Sequence, residues 1–249
     1  IDMAHITCTF SSECLKMNTS LTIILPEQAQ MDQIRVVYLL HGLMDNCTGW
    51  SRYTSVERYA REHNVAVVMP EVQRSFYTDM AMGVRYFSYV SDELPAVCRR
   101  FFGFSSERRY HYIMGLSMGG YGALKCMFGQ PAQFAGCAAF SAVTDMPDRV
   151  AAAGPEEKKE FQAIFGMELK VPEESDLFAL AKKADAGTLP RIYTACGESD
   201  GLYPQNQRFA RLLERQGAGN RFEHWEGIHD WVFWDQALQR GMAYLLGGE

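Results

Sequence analysis

Gly115-Leu116-Ser117-Met118-Gly119 follows an apolar run ending in Tyr112-Ile113-Met114 and opens a stretch with helical character. A serine flanked by glycines two residues to either side, where a strand passes into a helix, reads as a sharp turn that presents the hydroxyl beyond the sheet edge. The glycines answer a steric need, because side chains at those positions would strike the neighbouring strand or helix. Gly120 and Gly122 extend the run of small residues. The bare pattern also matches glycine-rich loops, and it is the strand-to-helix setting that points to a nucleophile.

Outward from this turn, β-rich runs alternate with helix-period segments. The expected strands are 20–25, 34–40, 65–69, 110–114, 134–140, 191–196 and 221–225; the expected helices are 86–102, with a break or kink at Pro95, then 119–128, 205–216 and 231–246. The first two strands, separated by a polar loop, suit an antiparallel start. The alternation that follows implies an α/β fold, a mostly parallel twisted sheet with helices on both faces. With 249 residues, 47% of them hydrophobic, the chain is long enough for one such domain over 1–249. Residues 142–190 break the rhythm with Met146-Pro147-Asp148, Ala153-Gly154-Pro155 and the charged run Glu156 to Glu160. They are expected to form an insertion of short helices over the carboxyl edge of the sheet, where such sheets bind ligands, with the charged run solvated.

The net charge of −6 argues against a nucleic-acid partner, which needs a basic face. No apolar run is long enough to cross a bilayer, and the N-terminus lacks a basic segment followed by an apolar core, so no membrane association is expected. Seven cysteines are dispersed without metal-ligand spacing, which points to reduced thiols and a cytoplasmic location. Neither a metal nor an organic cofactor is expected, and homo-oligomer formation stays open.

A serine hydroxyl is a weak nucleophile at neutral pH and requires a histidine base, itself oriented by an acid. With the order serine, acid, histidine, only His224 and His229 qualify as base. His224 falls inside an alternating strand, whereas His229 falls in the loop between the last strand and the last helix, which places it at the ligand-binding edge. Asp200, in the loop Gly197-Glu198-Ser199-Asp200-Gly201, is the expected acid, with Glu198 bracing the loop through backbone amides; Asp230 and Asp235 are read as structural. The oxyanion created by attack on a carbonyl calls for backbone donors. Met118 N–H, at a helix start, and Leu43 N–H, in the turn His41-Gly42-Leu43, are the candidates, with His41 bracing that turn.

His41-Gly42-Leu43, Tyr77-Thr78-Asp79, the stretch Gly115 to Ala123, Gly197-Glu198-Ser199-Asp200 and His229-Asp230-Trp231 together resemble the esterase D family of α/β-hydrolases. That family includes S-formylglutathione hydrolases, tributyrin and acetyl esterases, feruloyl esterases and the antigen 85 mycolyltransferases. The chain looks closest to the small tributyrin and acetyl esterases. The resemblance implies an α/β-hydrolase fold and a triad on Ser117, Asp200 and His229, with oxyanion amides on Leu43 and Met118. It implies hydrolysis of short acyl esters through an acyl-enzyme, with acetylated sugars and aryl or feruloyl esters as further classes. Leu116 and Tyr121 in the elbow, and Met44 to Trp50 after the His-Gly-Leu turn, depart from the S-formylglutathione hydrolases and weaken a thioesterase assignment. A catalytically inactive binding module on the same scaffold is the alternative of another class. Trp50, Tyr77 and Trp231 are expected to line a substrate pocket, against the competing expectation that aromatic residues pack the core.

Overall fold

The computed structural model describes residues 2–247; Ile1, Gly248 and Glu249, the ends of the expected 1–249 span, lie outside them. Eight strands form one sheet: β1 (Met3–Ser12), β2 (Met17–Pro26), β3 (Arg35–Leu40), β4 (Val65–Pro70), β5 (His111–Leu116), β6 (Gly136–Phe140), β7 (Arg191–Gly197) and β8 (Asn220–Trp225). Their spatial order is β1-β2-β4-β3-β5-β6-β7-β8. β1 pairs with β2, and β2 with β4, antiparallel; every other pair is parallel. The antiparallel start is therefore present with a different partner, since β2 lies beside β4 and not beside β3. The central strands β4, β5 and β6 are buried along their whole length, which is why they read as continuous apolar runs. β1 was not foreseen. It alternates exposed and half-buried positions at the sheet's edge, and its period-2 series Ile6, Cys8, Phe10 is the signal it left.

Among the described residues ten α-helices accompany the sheet: α1 (Gly49–Tyr53), α2 (Val56–His63), α3 (Tyr86–Ser88), α4 (Leu94–Phe102), α5 (Met118–Gly129), α6 (Met146–Ala151), α7 (Pro155–Phe165), α8 (Leu177–Lys183), α9 (Tyr203–Arg215) and α10 (Trp231–Leu246). One face is packed by α1, α2 and α10 through Trp50, Tyr59, Leu238 and Met242. The other is packed by α4, α5 and α9 through Val97, Leu124 and Phe209. The expected helix over 86–102 is three pieces, with a π-helical turn at Tyr89–Glu93 joining α3 to α4. Pro95, at the start of α4, has no N–H to bond back to Ser91 and its ring would press on that carbonyl, so the chain widens before it.

Between β6 and β7, residues 142–190 fold as α6, α7, a 3₁₀ turn at Glu173–Ser175 and α8. The charged run lies on α7, which begins with Pro155 and buries Phe161 and Ile164. Two of its carboxylates are not simply solvated: Glu160 pairs with Arg74 at 2.9 Å and Glu157 with Arg149.

The chain leaves β3 towards β4 on one side and returns to β5 on the other, so the strand order reverses between β3 and β5. At such a reversal adjacent loops diverge and leave a crevice beyond the carboxyl ends of the strands. Leu40 and Gly115, paired in register there, place the His41-Gly42-Leu43 turn and Ser117 side by side.

Candidate active site

Ser117 closes β5 and caps α5 with φ 52° and ψ −115°, a conformation that costs an L-residue on the order of 1–3 kcal/mol and persists only where the surroundings impose it. They do so here. Ser117 N–H donates to Phe140 O at 2.8 Å, and its carbonyl accepts from Tyr121 N–H at 3.0 Å and Val143 N–H at 3.3 Å. A β-carbon on Gly115 would collide with the Gly119 carbonyl, and one on Gly119 with the Leu40 carbonyl; glycine at both sites is a condition of the elbow.

His229 and Asp200 reach the serine from two further loops. Asp200, after β7, is 4% exposed; one carboxylate oxygen accepts from Leu202 N–H at 2.8 Å and the other lies 2.8 Å from His229 Nδ1. His229 Nε2 lies 3.0 Å from Ser117 Oγ. Burial by itself would raise the Asp200 carboxyl, but the bonds from His229 and from Leu202 N–H outweigh it and hold the group below the usual carboxylate value. An ionised carboxylate accepts from Nδ1–H, and that tautomer turns the Nε2 lone pair towards the serine hydroxyl. The arrangement lets the imidazole take the serine proton while the carboxylate steadies the resulting positive charge.

The other carboxylates have different duties. Glu198 accepts from His224 Nδ1 at 2.8 Å on the surface, in place of the expected backbone-amide bracing. Asp230 caps α10 by accepting from Phe233 N–H at 3.0 Å. Asp235 ties α10 to α2, accepting from Ser55 N–H at 2.8 Å and Tyr59 OH at 3.0 Å.

Met118 N–H stands at the first position of α5 and Leu43 N–H in the turn after β3; among the described residues neither donates to an acceptor within the chain. Their freedom and the positive end of the helix suit an oxyanion. His41 is buried and braces the turn: its Nδ1 bonds Gly42 O at 2.8 Å, and its Nε2 accepts from Val72 N–H at 3.1 Å.

Two of the three aromatic residues expected in a substrate pocket are core residues. Trp50 is 1% exposed, donates Nε1–H to Leu40 O at 3.0 Å and packs on Phe140. Tyr77 is 0% exposed, donates its hydroxyl to His41 O at 3.0 Å and lays its ring against Gly122. Both support the β3 turn from beneath, because each has a polar atom that satisfies a carbonyl there and a ring too large to leave in water. Trp231 is half-buried, stacked on Tyr53 and edge-on to Trp50 and Trp234. Trp234, which the sequence reading missed, packs perpendicular to the His229 ring at 4.9 Å between centroids; its only signal was the aromatic density of Trp231-Val232-Phe233-Trp234.

All seven cysteines are free thiols. Among the described residues no helix is long and apolar enough to cross a membrane, and no three His, Cys, Asp or Glu side chains gather as a metal site.

Fold and site define a serine esterase on the α/β-hydrolase scaffold. The sequence profile described as putative esterase matches residues 12–245, and the chain belongs to that family. It is 29% identical to an acetyl esterase of Caldicellulosiruptor saccharolyticus, with 98% of each chain covered. Among solved structures it is similar to FphF, a fluorophosphonate-binding serine hydrolase of Staphylococcus aureus, at 34% identity and a TM-score of 0.91 over 99% of both chains. It is also similar to an S-formylglutathione hydrolase of Staphylococcus aureus, at 35% identity and a TM-score of 0.89 over 99% of this chain and 100% of that one. These relatives agree with the esterase D resemblance drawn from the motifs.

Proposed function

We propose that the chain hydrolyses short-chain carboxylic esters through an acyl-enzyme formed on Ser117. The observation that carries this reading is the hydrogen-bonded series Asp200–His229–Ser117, at 2.8 and 3.0 Å, ending on a strained serine. His229 takes the Ser117 proton as the hydroxyl attacks, and Asp200 fixes the tautomer and stabilises the imidazolium. The Met118 and Leu43 amides hold the oxyanion, the alcohol leaves with the proton from His229, and water repeats the cycle to release the acid. Residues 142–190 begin beside the serine, where Val143 N–H meets its carbonyl, and form one wall of the site. Trp231, half-buried and edge-on to Trp234, which packs on the His229 ring, is read as bordering the mouth.

The acetyl esterase relative supports short acyl groups. The S-formylglutathione hydrolase relative favours a second reading, a thioester substrate handled by the same groups. The test pairs fluorophosphonate labelling with p-nitrophenyl esters from C2 to C12 and with S-formylglutathione. Labelling lost in Ser117→Ala and kcat/KM highest at C2 to C4 are expected. An unlabelled protein would indicate a non-catalytic scaffold, a maximum at C10 or C12 would overturn the short-acyl assignment, and a larger kcat/KM for the thioester would favour the second reading.

A further inference from the structure

A second cavity, of about 330 Å³, lies between α5, the Thr78–Phe87 segment and the α7–α8 part of the insertion. Neither Ser117, His229 nor Asp200 borders it. Lys125, which does, is seven residues beyond Met118 on α5, roughly 10 Å along the helix. The volume is at the lower end of the range for small-molecule sites. Phe87, Ile164, Phe165 and Leu180 give it apolar walls.

Lys125 is the unusual feature. It is 3% exposed, and among the described residues no carboxylate forms an ion pair with it. Its Nζ meets only hydroxyls, Thr78 Oγ1 at 2.8 Å and Ser175 Oγ at 2.9 Å, with the Phe87 and Tyr121 rings beyond. The Thr78 hydroxyl is already committed as a donor to Phe76 O at 2.9 Å, so it accepts from the lysine. Among the described residues the Ser175 hydroxyl has no second side-chain partner, and it can accept a proton from Nζ or return one. Burial in this setting pushes the ammonium down to about 8, so near pH 8 about half the groups are free amine, roughly a hundredfold more than for an ordinary lysine.

The chemistry of the walls selects a ligand class. Asp79 and Glu174 at the border disfavour an anion, and the apolar lining disfavours a sugar. A neutral, apolar electrophile suits both the lining and the amine. We infer that this cavity is a covalent docking site for small apolar aldehydes, held as an imine on Lys125. The amine lone pair attacks the carbonyl carbon and forms the C–N bond; the carbonyl oxygen then leaves as water with the two amine protons, passed through the Ser175 hydroxyl. No oxidant or reductant takes part.

The test treats the wild-type chain at pH 8 with benzaldehyde and sodium cyanoborohydride, which reduces any imine to a stable benzylamine, and maps the product by peptide mass spectrometry. Lys125 is expected to reach half-labelling at a benzaldehyde concentration at least tenfold below that of the exposed Lys16, Lys170 and Lys183. Glyoxylate, an anionic aldehyde, should not label it preferentially. Leu180→Trp, which fills the cavity and keeps the lysine, should abolish the preference, and Ser117→Ala should leave it unchanged, separating this site from the esterase reading. Labelling confined to surface lysines, or equal labelling by glyoxylate, would overturn the inference; the mapping is made on the wild-type chain and does not depend on a variant folding.

Discussion

Replacing Asp200 by asparagine puts the proton arrangement of the site to a quantitative test. The buried carboxylate accepts two hydrogen bonds at 2.8 Å, from Leu202 N–H and from His229. An asparagine has one acceptor oxygen for these two demands. If the oxygen stays on Leu202 N–H, the amide NH₂ faces Nδ1, which must then accept; the proton moves to Nε2, and the imidazole can no longer take one from Ser117. If the amide flips, its NH₂ meets the Leu202 N–H, leaving two donors unmatched at about 1–3 kcal/mol each, and the charge that stabilised the imidazolium is lost as well. Both routes converge on a fall in kcat of about 10³- to 10⁴-fold, the size seen when a triad acid becomes an amide. At ~1.36 kcal/mol per decade this is about 4 to 5.5 kcal/mol. Asp230→Asn serves as the control, because asparagine caps a helix as well as aspartate does and the Asp230 carboxylate caps the start of α10; a change below threefold is expected. Initial rates on p-nitrophenyl acetate, with circular dichroism to verify folding, decide the matter. A folded Asp200→Asn within tenfold of wild type, or a larger loss in Asp230→Asn, would refute the assignment.

Trp50→Phe removes the donor to Leu40 O and should lower stability by about 1–3 kcal/mol with KM for short esters unchanged; a raised KM at unchanged stability would return Trp50 to the substrate pocket. Gly119→Ala forces a β-carbon against the Leu40 and His41 carbonyls; a loss of about 1–3 kcal/mol and of most activity is expected in denaturant unfolding and rate assays, and a neutral outcome would contradict the close approach. Lys125 is held down to about 8 by burial against about 10.4 in the unfolded chain. Between those values the unfolded chain binds more protons, so stability rises with pH. Wild type should therefore gain on Lys125→Met from pH 8 to about 10.4 in urea unfolding, and a flat difference would refute this.

Much of the site was legible because its residues sit at changes of periodicity. The elbow and the Asp200 loop each follow a buried strand, the His229 loop follows the half-exposed β8, and α10 begins and ends as its pattern suggests. The pairing of β2 with β4 was not legible, since an apolar strand carries no record of its neighbour. The short helix α2 was missed although Val56, Tyr59 and Ala60 are buried at helical spacing, because five charged or histidine side chains surround them in eight residues. Trp50 and Tyr77 show the limit most clearly: the same large, amphipathic side chain suits a pocket wall and a support beneath a loop, and only the position of its polar atom distinguishes the two.

The reversal of strand order between β3 and β5 gives the site an uneven mechanical foundation. The elbow and the oxyanion turn stand on two central strands that clamp each other in register, while the histidine is carried by the turn after β8, a partly exposed edge strand with β7 as its neighbour in the sheet. Fraying begins where a sheet has fewest neighbours. A brief loosening of this outer strand would draw the imidazole away from Ser117 while the rest of the sheet stays closed, so on warming, turnover fades before ellipticity does and returns when the strand settles again.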